Sequence, residues 1–357
     1  MARVYNFNAG PSAMPLDVLK EVQAEFLDVD HCGMSVVEIS HRSAEFEKIL
    51  QDAKTMVRRL LNVPEDYHIV FIQGGGTMQF FMSGANFLKT RGGYLNTGLW
   101  ASKALKAASF FGEAYEVASS ADRNFSYIPK PEQFVVKDGT DYVHMTSNNT
   151  AHGTEWLQFP KFDVPVICDM SSDFMARPVD VSQFDLIYAG VQKNVGPAGV
   201  ITAIVKDSFL QQARRDIPEM LQYKAFVDKD STYNTPPIFC IYFTGKVLHW
   251  IEDHGGTQAM WNLSTRKANI LYDAIDSSDG YYIGHAVKDS RSHMNVTFNL
   301  GTPELEKKFI AEALENGLAG VGGHRTVGGC RVSIYNAVTE DACTALADFM
   351  KAFRRNN

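Results

Sequence analysis

Three observations predict an α/β fold built on parallel βα units and followed by a smaller α+β C-terminal domain: the spacing of the apolar runs, the placement of glycine and proline between them, and a change of pattern past residue 255. Short runs rich in β-formers, Tyr67–Ile72, Val164–Cys168, Leu186–Ala189 and Val200–Val205, alternate with longer helical patterns such as Pro15–Phe26 and Glu45–Leu61. That alternation marks a strand, a covering helix and a second strand running the same way. A helical stretch around Tyr242–Ile251 then meets His254-Gly255-Gly256. Beyond it the expected elements are a helix over Gln258–Ile275, strands near Tyr281 and at Asn295–Leu300, and a helix over Pro303–Asn316. The division expected is a large domain over residues 16–254 and a small one over 255–357, with segment 1–15 packing near the small one.

At 357 residues and 45% hydrophobic content the chain exceeds what one core usually supports, which agrees with two domains. Its formal net charge of -7 provides no global basic field for nucleic acid or an anionic membrane surface, so any anionic ligand must be met by a local cluster of cations. Cys32, Cys168, Cys240, Cys330 and Cys343 are scattered, odd in number and free of Cys-x-x-Cys spacing. This argues against a disulfide framework or a zinc site and fits a reducing cytoplasm. His249 and His254 lie five apart rather than the four that would put them on one helical face, so no metal is expected there either. No apolar segment has the length of a signal core near Met1–Met14 or of a bilayer span later, and a soluble protein is expected.

Two short segments carry the chemistry. Phe184-Asp185-Leu186-Ile187-Tyr188-Ala189-Gly190-Val191-Gln192-Lys193 runs an apolar strand into small residues and delivers one lysine at its carboxyl end, before the turn Gly196-Pro197-Ala198-Gly199. Val164-Pro165-Val166-Ile167-Cys168-Asp169 delivers an acid in the same way. In open α/β sheets ligands bind beyond the carboxyl ends of the strands, so parallel strands would open Asp169 and Lys193 onto one edge. A pyridoxal cofactor requires that pair: an amine for the Schiff base, and a carboxylate that keeps the ring nitrogen protonated and the ring an effective electron sink. The plainer alternatives are a solvated loop lysine and an aspartate capping Met170-Ser171-Ser172. Gly74-Gly75-Gly76-Thr77, between a strand and a probable helix start, offers free backbone N–H groups where a phosphate could sit, although an ordinary tight turn has the same composition.

Several longer motifs accompany these residues: Asn6-Phe7-Asn8-Ala9-Gly10-Pro11, Ser40-His41-Arg42-Ser43, Gly74–Phe80, Thr146-Ser147-Asn148-Asn149-Thr150, Cys168–Ser172, Ala189–Gly199, Tyr233-Asn234-Thr235-Pro236-Pro237 and His324-Arg325-Thr326-Val327-Gly328-Gly329. With them the chain resembles, nearly end to end, the phosphoserine aminotransferase family of class V, fold-type I pyridoxal phosphate enzymes. The resemblance implies a large, mainly parallel-sheet cofactor domain, pyridoxal 5′-phosphate as cofactor, Lys193 as the Schiff-base lysine and Asp169 as the partner of the ring nitrogen. It further implies that Trp100 stacks on the ring and that Thr150 bonds near the ring oxygen. Gly76, Thr77 and Gln192 would bind the cofactor phosphate, joined by Asn234 and Thr235 from the other subunit of a homodimer with shared active sites. Arg331 would clamp the substrate α-carboxylate, and His41, Arg42, His324 and Arg325 would hold the substrate phosphate, for which arginine's planar fork is suited.

The implied reaction is reversible transamination of O-phospho-L-serine with 2-oxoglutarate to 3-phosphohydroxypyruvate and L-glutamate, in serine biosynthesis, by a ping-pong route. The expected partners are these small molecules, with neither nucleic acid nor membrane. Other class V activities fit less well, since desulfurases usually carry His where this chain has Gln192. Departures from the family pattern are Thr77 where some members have Arg, Ser83-Gly84 for Val-Pro, Asn149 and Ala151 for Glu and Ile, and Cys330 for Met. None touches Lys193 or Asp169.

Overall fold

A computed structural model describes residues 3–357. The apolar runs form one sheet of seven strands: β1 (Tyr67–Gly74), β2 (Arg91–Asn96), β3 (Glu113–Ser119), β4 (Thr140–Thr146), β5 (Val166–Asp169), β6 (Leu186–Gly190) and β7 (Gly199–Lys206). Their spatial order is β1-β7-β6-β5-β4-β2-β3. From β6 to β3 every neighbouring pair is parallel. β5 and β6 are buried along their whole length, and a strand covered on both faces has no reason to alternate apolar with polar residues.

One expectation is corrected. The run Val200–Val205, expected in a parallel unit, forms β7, which runs antiparallel to both β6 and β1. Only residues 191–198 lie between β6 and β7, whereas a parallel return needs a crossover of about a dozen residues or more. Two reversals restore direction, so β1 points the same way as β6. The carboxyl ends of β1, β2, β4, β5 and β6 therefore share one edge.

Helices cover the sheet. α1 spans Leu16–Glu25, and α2 spans Ala44–Leu61 where the sequence predicts Glu45–Leu61. Ser43 caps α2 by accepting the Phe46 N–H, and Asn62 ends it in the left-handed region at φ 48°. α2 buries Phe46, Leu50, Ala53, Val57 and Leu61, one face at helical spacing. α3 (Gly76–Phe87) and α4 (Leu99–Ala108) follow β1 and β2, and α5 (Ile238–Asp253) crosses α2 closely. A Cβ added at Gly245 would lie 3.4 Å from Asp52 and 3.7 Å from Ala53.

Past α5, Gly255 and Gly256 take φ of +92° and +69°, a reversal that side chains resist. α6 (Gly256–Asp276) leads to an antiparallel sheet of β8 (Ile283–Gly284), β9 (Asn295–Asn299) and β10 (Cys330–Ser333), flanked by α7 (Pro303–Glu315) and α8 (Glu340–Asn356). A separate apolar core joins Leu271, Phe298, Phe309, Val332, Leu346 and Phe353, and Phe7 belongs to it. The N-terminal segment reaches this core through Tyr5–Asn6, which pairs in parallel with Leu318–Ala319. Among the described residues no helix is long and apolar enough to cross a membrane.

One buried cation fastens the second core. Lys267 on α6 is fully buried and donates to the carbonyls of Ile334 (2.9 Å), Tyr335 (2.7 Å) and Val338 (3.0 Å), just past β10. Lys267→Met would leave the buried Ile334 and Val338 carbonyls without donors, at about 1–3 kcal/mol each before relaxation, while the Tyr335 carbonyl keeps the Val338 N–H at 2.9 Å. The variant is expected to unfold at distinctly lower urea concentration than the parent; an unchanged midpoint would show that water or rearrangement satisfies the carbonyls.

Candidate active site

The shared sheet edge assembles the site. β1 ends at Gly74, with φ +113°, and the chain enters α3 behind Gly75, which supplies no side-chain cap. The first N–H groups of a helix have no intrahelical acceptors, so Gly76 and Thr77 present donors and a positive helix end to an anion. Space there is tight: a Cβ on Gly76 would lie 3.3 Å from Ser171 Oγ. Ser171 Oγ in turn accepts the Gly190 N–H at 3.0 Å, joining this loop to the end of β6.

Asp169 closes β5 and is buried. Its Oδ1 accepts the Ser171 N–H at 2.9 Å, the local turn bond that the plainer sequence reading allows, and among the described residues Oδ2 has no hydrogen-bond partner. Burial pushes this carboxyl above its ordinary value, opposed by the Lys193 charge and the Ser171 bonds. An oxygen so placed suits a cationic N–H.

Lys193 lies in the turn after β6, and its Nζ donates to Thr150 Oγ1 at 2.8 Å. Loss of solvent lowers its pKa from 10.5 to about 8; Asp169 opposes the shift and Arg331 adds to it. The turn is braced from the N-terminal segment, where Ser12 N–H donates to the Gln192 carbonyl at 3.2 Å and Ser12 Oγ donates to the Lys193 carbonyl. Lys193 and Asp169 open onto one cavity, whose walls include Gly76, Thr77, Trp100, Thr150 and Gln192. Phe80, Thr146, Asn148, Ser171 and Ser172 complete it; they fall within or beside the sequence motifs, but nothing in residue type assigned them a part.

The cations divide. Arg331 sits on β10 opposite Thr297, with Nε buried and without a hydrogen-bond partner. Burial lowers its pKa, yet a guanidinium remains charged, so it is a cation awaiting an anion. His324 packs edge-on to Trp100 at 6.1 Å between ring centres, and burial together with Arg331, Lys103 and Arg325 holds it below the ordinary imidazole value. Arg325 beside it is exposed. His41, Arg42, Asn234 and Thr235 line a different cleft, which has no wall residue in common with the Lys193 cavity. Within one chain, therefore, Lys193, Asp169, Thr150, Trp100, Gly76, Thr77 and Gln192 are brought together, with Arg331 close enough to perturb the lysine, while those four are not.

The cavity thus offers an amine with a lowered pKa, a carboxylate with a free oxygen, an uncapped helix start and an indole whose Nε1 is buried without a partner. Together they fit a flat heteroaromatic ring with a cationic nitrogen, an electrophilic carbon and a phosphate tail.

Comparison with known proteins agrees with this chemistry. A model of the class-V aminotransferase family matches residues 4–346. The phosphoserine aminotransferase of Bacillus subtilis (strain 168) is 49% identical over 359 residues, covering 100% of each chain. Among solved structures, the phosphoserine aminotransferase of Bacillus circulans subsp. alkalophilus superimposes with a TM-score of 0.97 at 47% identity, covering 99% of both chains. The pyridoxal phosphate-bound phosphoserine aminotransferase of Trichomonas vaginalis does so with a TM-score of 0.94 at 34% identity, over 98% of this chain and 100% of that one. The apposition of Lys193 and Asp169 at one sheet edge and these full-length matches lead to one conclusion: the chain belongs to the class-V aminotransferases, in the phosphoserine aminotransferase family.

Proposed function

We propose that the protein catalyses the reversible transamination of O-phospho-L-serine with 2-oxoglutarate to 3-phosphohydroxypyruvate and L-glutamate, in serine biosynthesis, with pyridoxal 5′-phosphate as cofactor. The observation that carries this reading is the half-buried Lys193 amine sharing one cavity with the buried Asp169 carboxylate. When bound, the cofactor accepts the electron pair released at the substrate's Cα and holds the amino group between the two half-reactions. Lys193 Nζ would do the proton work, taking the substrate's Cα proton as general base and giving it back two bonds away, across the amino nitrogen, as general acid. A pKa of about 8 keeps a useful fraction of that amine unprotonated near neutral pH.

The remaining residues bind and orient. Asp169 would hold the protonated ring nitrogen through its free oxygen, Trp100 would stack on the ring, and Thr150 would bond near the ring oxygen. Gly76, Thr77 and Gln192 would take the phosphate. Arg331 would bind the α-carboxylate, with His324 and Arg325 on the substrate phosphate. We further infer a homodimer in which His41, Arg42, Asn234 and Thr235 complete the partner's site; their lining a cleft of their own supports this. The two apolar cores and the glycine pair at 255–256 favour the division into large and small domains near residue 255. Five cysteines without a disulfide favour a cytoplasmic setting.

Three outcomes are expected. Purified protein with 2-oxoglutarate forms glutamate from phosphoserine with kcat/KM at least about 100-fold above that with serine, the scale of two lost charge-assisted bonds, and Lys193→Ala abolishes turnover. Equal activity on the two amino acids would remove the phosphate subsite. In cofactor-free protein, Lys193 is protonated and inert below its pKa and reactive above it. Labelling with an amine reagent should therefore reach half-maximum near pH 8, against the ordinary lysine value of 10.5. A midpoint near the ordinary value would contradict the desolvated-amine reading. Finally, mixing Lys193→Ala with the Asn234→Ala, Thr235→Ala double variant under subunit exchange should restore activity, because each mixed dimer then holds one intact site. No recovery despite proven exchange would assign Asn234 and Thr235 to their own chain.

A further inference from the structure

Two walls of the Lys193 cavity come from segments far apart in the sequence: Trp100 in the first turn of α4, and Thr150 in the turn beyond β4. Asn149 joins these segments. It is buried, yet it is not itself a wall of the cavity. Its backbone carbonyl accepts the N–H of Gly153 at 2.8 Å and that of His152 at 3.1 Å, which closes the turn carrying Thr150. Its side chain makes the other connection. Asn149 Nδ2 donates to Thr97 Oγ1 at 3.1 Å and to Thr154 Oγ1 at 3.1 Å, and Thr97 Oγ1 donates to Asn149 Oδ1 at 3.3 Å. Only an amide can both give to and receive from one hydroxyl in this way. Thr97 and Thr154 are fully buried, so no water replaces the amide at either hydroxyl.

Thr97 stands one residue before Gly98, the cap of α4, and three before Trp100. Gly98 packs directly on the same amide, since a Cβ there would lie 2.7 Å from Asn149 Oδ1 and 3.1 Å from His152 Nδ1. The close approach keeps α4 from starting nearer the turn, and the Thr97 bonds keep it from starting farther away. The indole has no hydrogen bond of its own, for its Nε1 is buried without a partner. Around the ring lie the edge-on His324, with ring centres 6.1 Å apart, and the Lys103 ammonium, 4.5 Å from the ring centre. The setting of Trp100 at the cavity therefore follows from where α4 begins.

We propose that Asn149 is a positioning residue for the cofactor: by holding Thr97 and packing on Gly98 it fixes the start of α4, and so places the Trp100 indole relative to the turn that carries Thr150. The proposal rests on the reading that Trp100 stacks on the pyridoxal ring. Asn149→Ala cuts the side-chain arm alone, because the bonds that close the Thr150 turn belong to the backbone.

The test is the affinity of cofactor-free protein for pyridoxal 5′-phosphate, titrated in the absorbance band of the bound cofactor. Trp100→Ala should weaken binding roughly tenfold, the scale of a lost aromatic stack. Asn149→Ala should weaken it roughly fivefold, the scale of a lost hydrogen bond. Thr97→Val, which keeps the side chain's shape and loses only the hydroxyl, should do the same, and it carries the test alone if Asn149→Ala does not fold. On the Trp100→Ala background neither substitution should change the affinity by more than about twofold. The visible circular dichroism of the bound cofactor, which reports how the ring is seated, should weaken in Asn149→Ala and Thr97→Val and weaken no further in either once Trp100 is alanine. General loosening of the fold would lower the affinity equally in both backgrounds. Equal losses with and without the indole, or parent affinity in Thr97→Val, would overturn the proposal. Parent affinity in Trp100→Ala is a different failure: it would remove the stacking reading itself, and the proposal with it.

Discussion

A lysine and a carboxylate stand in the same cavity, and most of the architecture follows from bringing the two together. Burial pushes the Lys193 amine down and the Asp169 carboxyl up, and each charge opposes the shift of the other. The pair can be set only if two strand ends meet, which the parallel β5 and β6 provide. The antiparallel β7 supplies the rest, because its register pairs Gly199 with Gly74. That pairing keeps the Lys193 turn beside the glycine loop that opens α3. A crossover helix at this point would have carried the chain away from the edge.

Asp169 and Lys193 were legible in the sequence because strands buried on both faces read as unbroken apolar runs, and each such run stopped at a titratable residue. β2 was not legible. Its glycines exist for neighbouring rings and branches, since a Cβ on Gly93 would lie 2.6 Å from Val117 and one on Gly92 would lie 3.0 Å from Tyr142. The composition of β2 therefore looks like a turn. The direction of β7 was hidden for another reason: an apolar run reads the same either way, and only the short connection decides it. The division of the cations between two clefts lies outside any sequence argument, because residue type does not say which distant loops meet.

Charge and neutrality are sorted by task. Arg331 is left without a hydrogen-bond partner at its buried Nε, a condition a folded protein tolerates where a ligand anion will supply the missing contact. One link behind the cavity uses uncharged groups instead. Asn148 bridges Ser172 at 2.8 Å and Asn295 at 2.7 Å, linking the sheet edge to β9. Amides hold parts together without adding a full charge beside Lys193, whereas an ion pair at the same place would shift the lysine as well as bind it.

The pairing of Tyr5–Asn6 with Leu318–Ala319 bears on how the chain reaches this state. These segments lie nearly the whole chain apart, so the bridge closes a very long loop and contributes nothing to an early nucleus. During synthesis the first strand to leave the ribosome has no partner until almost the last helix has been translated. The brace that Ser12 places on the Lys193 turn sits only a few residues beyond that strand. The sheet can therefore condense long before the Lys193 turn is secured, and a nascent chain stalled before residue 318 would carry a nearly complete scaffold with that turn unbraced.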